Sequence, residues 1–122
     1  MQRIDGRLVY SASDLNDYLE CKRLTDAEAL VALGRLEPPA SEDAESELLR
    51  RKGEEHEQRY LEQMRALHPG QVVEIARSRG IEAYRDAERQ TVEAMRRGEP
   101  IIYQATFFDG EFVGHADFLR RV

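Results

Sequence analysis

The 122-residue chain has one cysteine, Cys21, and so cannot form an internal disulfide, which fits a reducing compartment. No apolar run approaches the roughly 20 residues that cross a bilayer. The opening "MQRIDGRLVY" lacks the apolar stretch of a secretory leader. These absences point to the cytoplasm and away from membranes. A basic excess is missing too: the formal net charge is −6, whereas chains that coat duplex nucleic acid usually carry the opposite sign. Acidic sites built to hold cations stay open under that balance. Lysine occurs only as Lys22 and Lys52. There is no P-loop, no Gly-x-Gly-x-x-Gly and no Gly-x-Ser-x-Gly. His68 and His115 show no ligand spacing with Cys21 or His56, so a zinc centre lacks its donors. "ECK" (Glu20 to Lys22) has the form Glu-x-Lys but lies at a helix end.

What is present reads as a soluble globular α+β chain, with 41% hydrophobic and 34% charged residues. In "YSASDLNDYLECKR", Ser11 and Asp14 have capping-box spacing, and Leu15, Tyr18 and Leu19 share one helical face. A second box at Thr25 and Glu28 predicts a second helix ending at Gly34, after a break over Cys21 to Leu24. "EPPASEDAES" reads as a linker, since Pro38 and Pro39 block helix. Helix resumes near Glu45 and runs to about Leu67. Its expected inward stripe is Leu49, Gly53, His56, Tyr60, Met64 and Leu67. "VVEIA" (Val72 to Ala76) predicts a short strand. "AYRDAERQTVEAMRRG" predicts an amphipathic helix with Tyr84, Ala87, Thr91, Ala94 and Met95 inward and Gly98 as its stop.

The final segment predicts a hairpin, with "IIYQATFF" and "EFVGHADFLRRV" joined at Asp109-Gly110. A two-residue turn would place Phe108 opposite Glu111 and Gln104 opposite His115. Alternation then gives one apolar face, Tyr103, Ala105, Phe107, Phe112, Gly114, Ala116 and Phe118, packed on helices. The other face gathers Gln104, Thr106, His115 and Asp117 among Ile102, Val113 and Leu119.

Three residues carry chemical interest. Asp117 is an acid within an apolar strand; if that face is covered, its carboxylate needs a cation, a donor or a metal. The alternative is a solvated acid on a wet sheet face. His56 lies on an apolar helical stripe, where a satisfied core histidine is the commoner outcome. Gly53 one turn earlier suggests that another element comes close, and Glu57 sets an acid beside the imidazole. A neutral histidine with a carboxylate from another element starts a divalent-metal site. Cys21 reads first as a small buried hydrophobe after a helix.

"SASDLNDYLECKRLTDAEAL", "LLRRKGEEHEQRYL" and "TVEAMRRGEPIIYQATFFDGEFVGHADFLRRV" together resemble the N-terminal part of RecB-like nucleases of the PD-(D/E)XK superfamily, relatives of CRISPR-associated RecB-like exonucleases. Each motif is short; their order and spacing carry the likeness. The resemblance implies an N-terminal helical segment (1–36), a linker (37–46) and a partial restriction-endonuclease-like core (47–122). Its Gly-x-x-His-Glu helix falls on Gly53 to Glu57 and implies His56 as a metal ligand. Its Gly-x-x-Asp-Phe-Leu strand falls on Gly114 to Leu119 and implies Asp117 as the first metal-binding acid. Both would be catalytic, with Gln104 supporting the site face and Mg²⁺ or Mn²⁺ as cofactor. In many relatives a cysteine at the place of Cys21 joins three C-terminal cysteines on a 4Fe-4S cluster, so Cys21 is an expected cluster ligand in a full-length protein only.

The family's next strand carries (Asp/Glu)-x-Lys. The sequence reaches Val122 before any such strand, so the resemblance implies an N-terminal fragment, inactive alone, whose partners are nucleic acid, chiefly DNA, and the missing C-terminal part. The competing expectation is a non-catalytic α+β module that binds nucleic acid or a protein partner through the sheet edge left open after Val122.

Overall fold

Two Asp-Gly pairs turn the chain, and they do so differently. A computed structural model describes residues 1–39 and 44–122. At Asp5-Gly6 strand β1 (Gln2–Ile4) folds back on β2 (Arg7–Ser11), with Ile4 paired to Arg7. Both turn residues have positive φ, 50° and 81°, as a two-residue primed turn requires. At Asp109-Gly110 the loop is wider: between β4 (Ile101–Phe108) and β5 (Phe112–Arg120), Phe108 pairs with Val113, not Glu111. The Asp109 carboxylate explains the difference. Its Oδ1 accepts from the Glu111 and Phe112 amides, at 2.9 and 2.7 Å, drawing both residues into the turn. The register therefore moves by two. Thr106, not Gln104, pairs with His115. Gln104 comes opposite Asp117, between the Tyr103–Phe118 and Ala105–Ala116 pairs.

The helices are α1 (Ala12–Glu20), α2 (Lys22–Ala32), α3 (Ala44–Leu67) and α4 (Ile81–Arg97), with β3 (Val72–Glu74) between the last two. Ser11 opens α1 as its spacing predicts, its N–H and Oγ both donating to Asp14 Oδ2. The second box does not form. Cys21 alone, in extended backbone, ends α1 and starts α2, so Thr25 and Glu28 fall inside the helix. Thr25 Oγ1 and Glu28 Oε2 are buried there without hydrogen-bond partners. Of the expected linker, 40–43 lie outside the described residues, and Ala44 already belongs to α3. Gly98, at φ 74°, stops α4 in the left-handed conformation that glycine adopts freely.

The five-stranded sheet runs in the order β1-β2-β5-β4-β3. β4 and β5 are antiparallel, while β2–β5 and β3–β4 are parallel. This mixed sheet with helices is α+β, as the composition and patterning predict. β1 and β2, absent from the helical reading of the N-terminal segment, supply one side of it. β5 is thus interior and β1 and β3 are the edges, contrary to the expectation that the last strand lies at an edge. Yet β2 pairs only with Phe112 and Val113, so no described strand covers that side of β5 from Gly114 onward.

α4 packs its Ala87 and Ala94 against Ile102 and Ala105, with Ile75 in the same cluster. Tyr84 joins Ile81, Phe108, Val113, Ile4 and Val9 in a second cluster. Thr91, fully buried, accepts from the Thr106 amide at 3.0 Å and donates to the Ala87 carbonyl. Met95 is exposed rather than inward. The α3 stripe is also displaced: Leu61 and Met64 are buried, while Leu49, His56 and Leu67 are exposed. The helix docks by its C-terminal half. The space beside Gly53 is open, so that glycine marks no close crossing. Of the face expected to be packed, Tyr103 is buried but Phe107 and Phe112 are exposed.

Candidate functional site

Gln104 has φ 59°. Left-handed backbone is uncommon for a residue other than glycine, asparagine or aspartate and costs on the order of 1 kcal/mol. It interrupts the side-chain alternation of β4 at the point where four polar groups were expected on one face. They separate into two pairs. Thr106 Oγ1 meets His115 Nδ1 at 3.1 Å, beneath Tyr84 of α4. Gln104 and Asp117 instead join α3: the Gln104 Nε2 donates to Glu57 Oε1 and, in a long contact of 3.5 Å, to Asp117 Oδ1.

Glu57 is the hub. Its Oε1 also accepts from the Tyr103 hydroxyl at 2.7 Å, and Gln58 donates to that hydroxyl at 3.2 Å. Burial first, and then the Glu57 carboxylate, push the Tyr103 phenol upward, so it stays a donor. Phe118 meets Tyr60 edge to face and lies tilted against Tyr103, at 4.6 and 5.1 Å between ring centres, which ties α3 to β4 and β5. One cleft of about 390 Å³ is lined by Gly53, His56, Glu57, Tyr60, Asp117 and Phe118. His56 and Asp117, far apart in sequence, thus line the same cleft. A second, of about 290 Å³, shares Glu57 and is lined also by Glu54, Glu74, Arg77 and Gln104.

Asp117 is 59% exposed and bridged to Arg77 at 3.4 Å, a pairing that screened surface groups hold weakly. Partial desolvation, with Arg77 nearby, keeps His115 below its ordinary value; Asp117 offsets part of this. Imidazole nitrogen and carboxylate oxygen are donors of the kind that Mg²⁺ or Mn²⁺ accepts. Gln104 Oε1 is buried without a hydrogen-bond partner, while the Nε2 of the same amide faces both acids. The donor types are those the metal expectation needs, but His56, Glu57 and Asp117 are not a trio whose ligand atoms all lie within 4.8 Å of one another.

Among the described residues, the trio whose ligand atoms all lie within 4.8 Å of one another is elsewhere: Asp14, Asp17 and Glu28. That cluster has its own cation, the Met1 ammonium, bonded to Asp14 Oδ1. Burial raises the Asp14 carboxyl, but the ammonium and Ser11 hydrogen bonds outweigh it and hold the group below its ordinary value. Burial, then the Asp17 and Asp14 charges, push Glu28 upward.

Cys21 is exposed at the α1–α2 joint, not buried as expected, because the chain turns there in extended backbone between two helices. A cluster would need three further thiolates, and the chain has no other cysteine, so its own residues do not form such a centre. Among the described residues, no helix is long and apolar enough to cross a membrane. Sequence reasoning noticed Glu57 only as a neighbour of His56, and missed Tyr103 and Arg77 altogether. Arg77 lies in an irregular segment with no period to mark it, while Tyr103 reads as one more apolar strand residue. Compared with known protein families, curated proteins and solved structures, the chain matches none.

Proposed function

We propose that this chain is the N-terminal part of a metal-dependent nuclease, with His56 and Asp117 contributing to a divalent-cation site that acts on nucleic-acid phosphodiesters, DNA foremost. The observation that carries this is the shared cleft of His56, Glu57 and Asp117 between α3 and β5, at the two positions that the motif resemblance marks. Bound there, Mg²⁺ or Mn²⁺ supplies Lewis-acid activation of water and of the scissile phosphate. Asp117 and Glu57 offer hard oxygens, and His56 offers nitrogen that tilts preference toward Mn²⁺. Neither lysine reaches this cleft: Lys22 opens α2, and Lys52 pairs with Glu55 at 3.4 Å on α3. Hydrolysis by this chain alone is therefore expected to be slight.

Calorimetric titration with Mn²⁺ tests the site. The wild type should bind and His56→Ala should bind more weakly; identical traces would refute it. Robust Mn²⁺-dependent degradation of single-stranded DNA, lost in Asp117→Ala, would refute the expected inactivity. A second reading, a non-catalytic module, draws on the side of β5 that no described strand covers beyond Val113, where a partner's strand could add. Under that reading Asp117→Ala would leave both metal and nucleic-acid binding unchanged.

A further inference from the structure

We propose that the cleft where the end of α4 meets the start of β4 and the end of β5 binds single-stranded nucleic acid, with Arg96 and Arg120 on its phosphates and Met95 against a base. The choice of nucleic acid over another polyanion rests on the nuclease reading. The cleft itself shares no lining residue with that of His56 and Asp117 and needs no metal.

The chain carries a net charge of −6, yet here the local sign reverses. The cleft, of about 480 Å³, is lined by three arginines, Arg96, Arg120 and Arg121, and a single acid, Glu99. That acid is already engaged, because Arg97 Nε donates to Glu99 Oε1 at 3.2 Å. Arg121 is anchored: its amide donates to the Pro100 carbonyl at 2.9 Å and its Nη1 to the Gly98 carbonyl at 3.2 Å. The second bond answers a free carbonyl at the end of α4, which accounts for Arg121 structurally. Arg96 and Arg120 have no such employment. Both are exposed, and among the described residues neither has a hydrogen-bond or ion-pair partner. A helix and a strand thus present unpaired guanidiniums to one space, and their forked donors suit phosphate oxygens.

The rest of the lining is apolar. Ile102 is buried, Leu119 is half-buried, and Met95 is 48% exposed although the pattern of α4 turns it inward. An arginine rim over apolar surface suits one nucleotide unit: ion pairs for the phosphate, thioether contact and guanidinium stacking for the base. The volume lies within the roughly 300–1,000 Å³ of small-ligand sites, room for a splayed nucleotide rather than a duplex. Asp117 precedes Arg120 by three residues of β5, so a strand held here runs on the order of 10 Å from the proposed cation site.

Fluorescence anisotropy of a labelled oligothymidylate with the full chain, in EDTA and over a salt series, tests the assignment. EDTA takes hydrolysis and the cation out of the readout. The wild type should bind, and its affinity should fall as salt rises. Arg96→Gln/Arg120→Gln should weaken binding by at least about tenfold. It should also reduce the slope of log affinity against log salt by about 1.4, the value for two phosphate contacts on a single strand. Arg85→Gln/Arg89→Gln removes the same charge from arginines already paired with acids on α4, and should change the slope far less. Met95→Gln should weaken binding at unchanged slope, because an apolar contact releases no counterions. Equal losses in the two arginine pairs would overturn the cleft in favour of overall charge. Displacement by poly-glutamate as readily as by unlabelled oligothymidylate would overturn nucleic acid as its ligand. The two proposals fail separately. A wild type that holds Mn²⁺ but no oligonucleotide overturns the cleft alone; one that holds oligonucleotide through Arg96 and Arg120 but no Mn²⁺ sustains the cleft and overturns the cation site.

Discussion

Two acid groups among the described residues are built to opposite ends. Asp14, Asp17 and Glu28 meet between α1 and α2 around a cation that the chain itself provides, the Met1 ammonium. Asp14 is buried and receives three donors, two of them from Ser11. Glu57 and Asp117 meet across α3 and β5, face a cleft, and are held by an amide and a loosely paired Arg77. The first cluster is closed on itself and fastens the N-terminal strand to the helices. The second is held open by neutral donors and one exposed arginine. Close spacing of carboxylates marks the fastened cluster, while the proposed site has a shared cleft instead.

The largest expected effect separates them by stability. Asp14→Ala removes the helix cap and leaves a buried ammonium unpaired, so it should destabilise the fold by on the order of 3 kcal/mol, read from denaturant melts. Asp117→Ala should cost under about 1 kcal/mol in the same melts, since its ion pair is exposed, while lowering Mn²⁺ affinity. A reversal of these two results would exchange the roles of the clusters.

Acid sharpens the contrast within the first cluster. The folded-state Asp14 lies below its ordinary value of 3.8, so its contribution is complete above that pH and is lost as pH falls through the folded value. Glu28 lies above its ordinary value of 4.5, so its protonation on acidification favours the fold. Asp14→Asn should flatten the acid limb of the melting midpoint against pH, and Glu28→Gln should steepen it.

The smallest effect belongs to the cleft's neighbour. His115 is depressed below 6.5 by desolvation and Arg77, and Asp117 opposes this. Its stability contribution is complete above 6.5 and lost as pH falls through the folded value. Asp117→Asn should move the His115 titration lower still, and Arg77→Gln should move it up, as followed by proton resonance.

Much of this architecture was legible in the pattern of residues. The Ser11 cap, the end of α4 at Gly98 and the β4–β5 hairpin follow from local chemistry alone. The hairpin register did not, because the choice between turn residues and a side-chain acceptor at Asp109 depends on which amides the carboxylate captures. The shift by two kept side-chain parity while changing partners, and it brought Gln104 to Asp117. The split of the polar face could not be read at all: one left-handed residue, Gln104, breaks a strict alternation. His56 and Asp117 were visible as candidates, but the bond from Gln104 that draws Glu57 to them is a tertiary fact. The α3 stripe misled because periodicity records amphipathicity, not which half of a long helix finds a surface.

Tyr10 pairs in parallel with Phe112, so the opening hairpin finds its place in the sheet only beside β5, far along the chain. A lone two-stranded hairpin is marginal in water, and during synthesis β1 and β2 must wait until β5 is made. Assembly order is thereby set by translation: α4 with β3 and β4 can settle first, and the first-made strands dock last. Pairing across so long a separation slows folding. Until that seam closes, the β1–β2 hairpin stays open to proteases and chaperones.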